Sequence, residues 1–193
     1  MKICHIINSL NSGGAENVLL KLCSYEKNTN NEIYVISLIN SGDLIESYQL
    51  NTDKLIILNF KKNFSSLFKF FKLLKLVKNI KPDILVGWMY HSSLLAFFCY
   101  MYGNVGKLFW NIRHTKLHFF KSSLLTIFIC KIMAYISKFS SINLIYCSSE
   151  SANHHSNLGY NNISSHVIYN GVDINKFKYS ELKKNRFRKE KNI

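Results

Sequence analysis

The first two dozen residues constrain the chain most. Residues 2–7, Lys-Ile-Cys-His-Ile-Ile, read as a buried strand, and residues 8–14 form a polar turn ending in Gly13-Gly14. From Ala15 onward the apolar residues take helical spacing. A strand passing through a glycine loop into a helix N-terminus can hold an anionic group. Backbone N–H groups point outward there, the helix dipole is positive, and glycine lets a ligand reach the main chain. The same residues also fit a tight strand–helix turn with no ligand. The loop is not followed by Lys-Ser/Thr, so it is no Walker loop, and it lacks the Gly-x-Gly-x-x-Gly of a dinucleotide site.

The pattern repeats. Near-continuous apolar runs at 32–39, 55–58, 84–87, 107–111, 142–146 and 166–169 alternate with helical stretches at 42–50, 61–80, 92–102, 121–138 and from Ser148 or Ser149 to 158. Such strands, alternating with helices, predict a doubly wound, mostly parallel sheet of seven strands covered on both faces. Ligands in such folds sit at the carboxyl ends of the strands. The loops of interest are therefore 8–14, 88–92, 111–116 and 169–173. From residue 174 onward the chain turns dense in Lys, Arg and Glu, as a linker or an incomplete helix.

Charge and cysteine usage narrow the partners. With 193 residues and 48% hydrophobic content, the chain suits one large domain with a real core. Its net charge of +14 favours anionic partners. Nucleic acid is not among those expected, because the lysines are dispersed, arginine is scarce and no nucleic-acid motif appears. Five isolated cysteines, Cys4, Cys23, Cys99, Cys130 and Cys147, lack metal-ligand spacing and read as small buried hydrophobes in a reducing compartment. No secretory leader pattern precedes residue 2, and the most apolar stretch, 124–136, is too short to cross a bilayer. No metal and no cofactor are expected.

Two strand-end segments concentrate candidate chemistry: Trp88-Met89-Tyr90-His91-Ser92 and Asn111-Ile112-Arg113-His114-Thr115-Lys116. Imidazoles titrate near neutrality, so His91 and His114 are candidates for acid–base or hydrogen-bond work on a hydroxyl. Each also fits a satisfied polar residue at a strand end. His154-His155 has no carboxylate or cysteine at metal spacing and reads as a solvated helix face. In the helix at 61–80, Leu67, Phe70, Leu73, Leu74, Val77 and Ile80 share one face, and Lys69, Lys72, Lys75 and Lys78 sweep the other. Phe68, Phe71 and Leu76 fall among the lysines, which suits an interface with anionic lipid. An ordinary amphipathic helix whose extra Phe residues meet a neighbouring loop remains the other reading.

Several motifs together resemble family 4 glycosyltransferases. Ser12-Gly13-Gly14-Ala15-Glu16 is similar to the family's Gly-Gly-Ala-Glu signature. Lys81-Pro82-Asp83-Ile84-Leu85 then precedes an aromatic, His-containing segment, and Trp110 to Thr115 resembles the next strand and loop. Residues 145–150, Ile-Tyr-Cys-Ser-Ser-Glu, match a strand and its Ser cap. Asn170-Gly171-Val172-Asp173, with Phe177, resembles the segment closing the N-terminal half.

The resemblance implies a retaining, metal-independent transferase of two Rossmann-like domains (GT-B), using a nucleotide-sugar donor as substrate. This chain would be its acceptor-binding half, with residues 1–173 as the domain and 174–193 as a linker toward a donor-binding domain. It places His114 against the donor sugar and Gly13 and Gly14 near donor diphosphate or acceptor. Tyr90, His91, Arg113 and Asn170 complete the expected binding set. It further implies surface polysaccharide or lipopolysaccharide synthesis, with a sugar or lipid-linked sugar as acceptor. Location at the inner face of the membrane is expected, through Lys69, Phe71, Lys72, Lys75 and Lys78. The family's paired-glutamate donor motif is not in these residues, so a fragment, a truncated product or one half of a split enzyme is expected, the latter working with a separate C-terminal donor-binding chain.

Overall fold

The computed structural model describes residues 1–39, 42–61, 65–115, 123–172, 174 and 179–191. Seven strands, β1 (Lys2–Ile7), β2 (Glu32–Ser37), β3 (Lys54–Ile57), β4 (Ile84–Trp88), β5 (Lys107–Ile112), β6 (Asn143–Tyr146) and β7 (Ser165–Val167), form one sheet in the order β3-β2-β1-β4-β5-β6-β7. Every pairing is parallel. Seven helices accompany them among the described residues: α1 (Gly14–Glu26), α2 (Ile45–Asn51), α3 (Ser65–Ile80), α4 (Met89–Tyr102), α5 (Leu124–Ser137), α6 (Ser149–Asn157) and α7 (Glu181–Lys191). The doubly wound α/β architecture is thus the one predicted, with strand ends displaced by one to two residues.

Strand alternation feeds two cores. Ile7, Val35 and Trp88 join Leu19 and Cys23 of α1 and Tyr48 of α2 on one face. Leu85, Leu108, Trp110 and Leu144 join Leu73 and Val77 of α3, Cys99 of α4 and Met133 of α5 on the other. Four cysteines are buried among these apolar groups, and Cys147 is half-buried.

Short polar devices set the register. Asp83 accepts a hydrogen bond from the Lys2 N–H at 2.7 Å, and its own N–H donates to the Lys2 carbonyl at 2.9 Å. Asp53 serves β2 in the same way, accepting from the Ile33 N–H at 2.5 Å. Before Asp83, Lys81 adopts a left-handed φ of 51° and Pro82 follows, so α3 stops there. The Lys-Pro-Asp motif is therefore a helix stop followed by a clamp between β1 and β4.

The tail folds differently from the rest. Helix α7 is exposed along its length and carries ion pairs Glu181–Lys184 and Arg186–Glu190, each 3.0 Å. Asp173, Lys176 and Phe177, and the junction expected at 173–174 apart from Ile174, lie outside the described residues, as do Lys116 and Lys121.

Gly87 gives a direct test of how tightly α4 sits on the sheet. A Cβ there would lie 2.4 Å from Ser93 Cα and 2.9 Å from its backbone nitrogen. Neither atom is a flexible side-chain end. Gly87→Ala is expected to lower stability by about 1–3 kcal/mol, read as a lower urea midpoint at unchanged m-value. An unchanged midpoint would show that α4 can retreat at no cost.

Candidate active site

The chain leaves β1 toward one face of the sheet, through α1, and leaves β4 toward the other, through α4. A crevice opens where the two diverge, at the topological switch point. It encloses about 230 Å3 and is lined by Asn8 after β1, Glu16 of α1, Met89 to Ser92 of α4, His114 after β5, and Thr126 of α5. A slot of about 250 Å3 adjoins it and shares Asn8 and His91. Its remaining walls are Leu38, Ile39, Phe60 and Leu95, with Lys61 and Ser66.

Residues 88–92, expected as a loop, are a strand end and a helix start. The helix expected from Ser92 begins instead at Met89, with Trp88 as an N-cap that makes no side-chain cap bond. The connection is so short because Met89 takes a left-handed φ of 66°, which costs an ordinary residue about 1–3 kcal/mol. That turn aims Tyr90, His91 and Ser92 at the crevice as the uncapped first turn of α4. Ser92 is fully buried, and its hydroxyl has no partner among the described residues.

His91 is half-buried and His114 exposed, both on the crevice wall, and partial desolvation lowers the pKa of each below the usual imidazole value. Both are therefore neutral at pH 7, each with one N–H donor and one acceptor nitrogen for a hydroxyl. The His114 ring stacks on Tyr90 with centroids 5.6 Å apart and planes at 18°. Tyr90 was expected to bind substrate. Its ring does line the crevice, but it is 2% exposed and its hydroxyl is already bonded to His155 Nε2 at 2.8 Å. Its hydroxyl is thus committed inside the protein.

His155 corrects a second expectation. It is fully buried, not on a solvated face, and packs against Tyr90, Tyr146 and Tyr160. His154, beside it, is half-buried and lies edge-on to the His155 ring. The spacing carried the signal: Ser148 caps α6 through the Ser151 N–H at 3.1 Å, and Ser151 and His155, four residues apart, share the inner face.

The glycine loop and Arg113 lie at the same edge but are differently engaged. Gly13 is the N-cap of α1, and the Glu16 carboxylate folds back over it, within 2.3 Å of where a Gly13 Cβ would stand. A negative charge already faces the α1 N-terminus, so an anion reaching this loop has to displace Glu16. Nothing lies within 4 Å of a Cβ built on Gly14. Arg113 Nη2 donates to Asn170 Oδ1, which brings those two expected residues together, and its guanidinium lies over the Trp88 ring at 5.9 Å. Trp88 Nε1 in turn donates to Nδ1 of His5 at 3.2 Å. His5, not singled out within its apolar run, is 2% exposed, and burial holds its pKa down at about 4.

Helix α3 keeps part of its expected surface. Lys72, Lys75 and Lys78 are exposed, as are Phe71 and Phe68, the latter at 78%. Lys78 Nζ lies 4.9 Å over the Tyr102 ring. Lys69 is instead half-buried and donates to the Asn59 carbonyl. Leu67, expected on the face of Phe70 and Leu73, lies in the first turn of α3 and is 58% exposed. Exposed Phe98, Met101 and Tyr102 of α4 and Leu125, Phe128 and Tyr135 of α5 extend the apolar surface. No helix among the described residues is long and apolar enough to cross a membrane. Among those residues, no three His, Cys, Asp or Glu groups stand together as a metal site.

The family model for glycosyltransferase family 4 matches residues 12–176, and the chain belongs to that family. Among solved structures, Anabaena HepE in complex with UDP and glucose is similar over 100% of this chain and 50% of its own, with 18% identity and a TM-score of 0.77. A glycosyltransferase from Rickettsia africae ESF-5 matches 99% of this chain and 49% of its own, with 19% identity and a TM-score of 0.69. The apo form of WaaB, a lipopolysaccharide outer core galactosyltransferase, matches 90% and 47%, with 18% identity and a TM-score of 0.63. The chain thus spans about half the length of these structures. No curated protein matches it by sequence.

The buried imidazoles make stability depend on pH. Burial lowers His155 and His5 from 6.5 to about 4 each. Both are neutral in the folded and unfolded chain above about pH 6.5, so their contribution is intact there. As pH falls from 6.5 toward 4, the unfolded chain takes up protons that the fold refuses, and stability is lost. The loss is up to about 3 kcal/mol per residue. Urea midpoints measured from pH 7.5 to 4.5 are expected to fall, and to fall less in His155→Gln. A flat profile would show that neither imidazole is held neutral.

Proposed function

We propose that this family 4 domain is the acceptor-binding half of a retaining, nucleotide-sugar-dependent glycosyltransferase of surface polysaccharide or lipopolysaccharide synthesis. The observation that carries the reading is the neutral His114 imidazole, held at the C-terminal sheet edge in the crevice at the switch point. A neutral imidazole there donates a hydrogen bond to a sugar hydroxyl without placing a cation beside the departing group. His91 and Glu16 stand across the same crevice, where an acceptor hydroxyl needs a hydrogen-bond acceptor. The adjoining slot with Leu38, Ile39, Phe60 and Leu95 suits the non-sugar part of a lipid-linked acceptor. The exposed aromatic and lysine side chains of α3, α4 and α5 suit peripheral contact with an anionic membrane.

A second reading is favoured by the length of the match, about half of each structural neighbour. In it these residues act as a partner subunit, and the donor is bound by a separate chain. Purified as these 193 residues alone, the protein is expected not to hydrolyse, or transfer sugar from, UDP-, GDP- or ADP-sugars. Measurable turnover would overturn the division of labour in both readings.

The site is tested in the presence of a matching donor-binding half. His114→Ala is expected to lower kcat by about 10²–10³, with the fold intact by circular dichroism. Gly13→Val is expected to fold, because the three atoms nearest its Cβ belong to the far end of the Glu16 side chain, which can rotate away. It is expected to raise KM or abolish activity by blocking the loop. Near-parental kcat in a folded His114→Ala protein would remove this residue from the site.

The membrane reading is tested with Lys72, Lys75 and Lys78 changed to Gln. Lys69 is left alone, since it serves the Asn59 carbonyl. At roughly 1 kcal/mol per lysine near an anionic surface, the triple variant should bind phosphatidylserine vesicles about 10²-fold more weakly at low salt. Equal sedimentation of variant and parent would rule out the electrostatic contact.

A further inference from the structure

We infer that the turn of α6 carrying Ser151 and His155 is a positioning element for His114, holding its ring through Tyr90 and its main chain through Ser151. What His114 does in transfer rests on the function proposed above; how it is held does not.

The hydrogen bonds form one directed chain. The Ser151 carbonyl can only accept, so the 2.7 Å contact from His155 Nδ1 fixes the proton on Nδ1. Nε2 then has only a lone pair, and the Tyr90 hydroxyl must donate to it across 2.8 Å. The Ser151 hydroxyl donates to the His114 carbonyl at 2.7 Å. The aromatic ring beneath His114 and the peptide group at its base are thus tied to two side chains one helical turn apart.

Both anchor side chains are fully buried, and the Tyr90–His155 bond is shut away from water. The His155 ring is further boxed by Tyr146 and Tyr160, with centroids 5.4 and 5.2 Å away. Residue 155 needs a polar ring only because Tyr90 points its hydroxyl at it. An aliphatic side chain would fill the space without the desolvation cost, but would leave that hydroxyl only the weakly bonding Cys130 thiol.

The test reads His114 directly, by NMR of the 193-residue protein with isotope-labelled histidine. In the parent, His155 should show a single Nδ1–H tautomer between pH 5.5 and 8, and the His114 ring protons should lie upfield, over the Tyr90 ring. Ser151→Ala and His155→Phe should move the His114 resonances downfield, toward free imidazole, and raise its titration midpoint. His155→Gln, whose amide oxygen can accept from Tyr90, should restore most of the parental position. Ser137→Ala is the control, because the bonds it removes, to Ala134 and Asn161, involve neither Tyr90, Ser151 nor His155. It should lose stability without moving His114. Should His155→Phe fail to fold, Ser151→Ala and Tyr90→Phe carry the comparison.

With a donor-binding half present, Ser151→Ala and His155→Phe should lose up to about 10²-fold in kcat, with His155→Gln recovering it. Unmoved His114 signals in Ser151→Ala and His155→Phe, at a stability loss like that of Ser137→Ala, would overturn the inference. Moved signals together with full activity in His114→Ala would leave the positioning intact and sink the function assigned to His114.

Discussion

Strand β1 hydrogen-bonds β2 on one side and β4 on the other, and the chain reaches those neighbours by opposite routes. Helix α1 carries it over one face to β2. Only after β3 does α3 bring it back over the other face to β4. No connection can cross the gap that this leaves at the carboxyl ends of β1 and β4. Asn8, Glu16 and residues 89–92 hang from that gap, and His114 and Thr126 reach it from β5 and α5. Asp83 maintains the pairing from the opposite edge, where its carboxylate and N–H both engage Lys2. A slip of one residue between β1 and β4 would exchange the inward and outward faces of either strand. It would separate Asn8 from His91 and move Trp88 off His5.

Among the described residues, no lysine or arginine lines the crevice. The lysines stand mostly outside, on α3 and on the tail, while the crevice holds two neutral imidazoles and one carboxylate. Arg113 neighbours His114 in sequence, but engages Trp88 and Asn170 instead. Alternation at the end of β5 makes this division, sending successive side chains to opposite faces. Neutral donors and acceptors recognise hydroxyls, and they need the rigid placement that a long-range charge does not.

Most of the framework was legible because each strand is an apolar run with turn chemistry at both ends, and burial on two faces demands such a run. The failures share a cause: side-chain type was read without its tertiary partner. Helix α4 was expected from Ser92, yet the backbone turns earlier, at Met89, in a conformation that an ordinary residue seldom adopts. His155 looked solvated because it is polar and follows another histidine. Its burial depends on Tyr90, sixty-five residues away, whose hydroxyl needs an acceptor. His5 hides within an apolar run because its partner is an indole N–H on a neighbouring strand. Lys69 was counted as a surface charge, though an unpaired carbonyl after β3 lay within its reach.

These misread residues have one further property in common. His5, Tyr90 and His155 are polar rings that replace hydrophobic ones at positions where packing alone would accept the latter. Each carries a desolvation cost offset only by a hydrogen bond of fixed direction. Trp88 donates to His5, and Trp88 in turn supports the Arg113 guanidinium; Tyr90 donates to His155, and Tyr90 supports the His114 ring. Consecutive residues at the end of β5 are thus each seated on an aromatic ring whose polar atom is anchored in the core, one on either face of the sheet. A packed apolar ring can rotate or slide at little cost, whereas a ring tethered by a buried hydrogen bond has one orientation. Residues at the open edge of a sheet have few neighbours to hold them, and here the needed rigidity is carried outward from the core by those two rings.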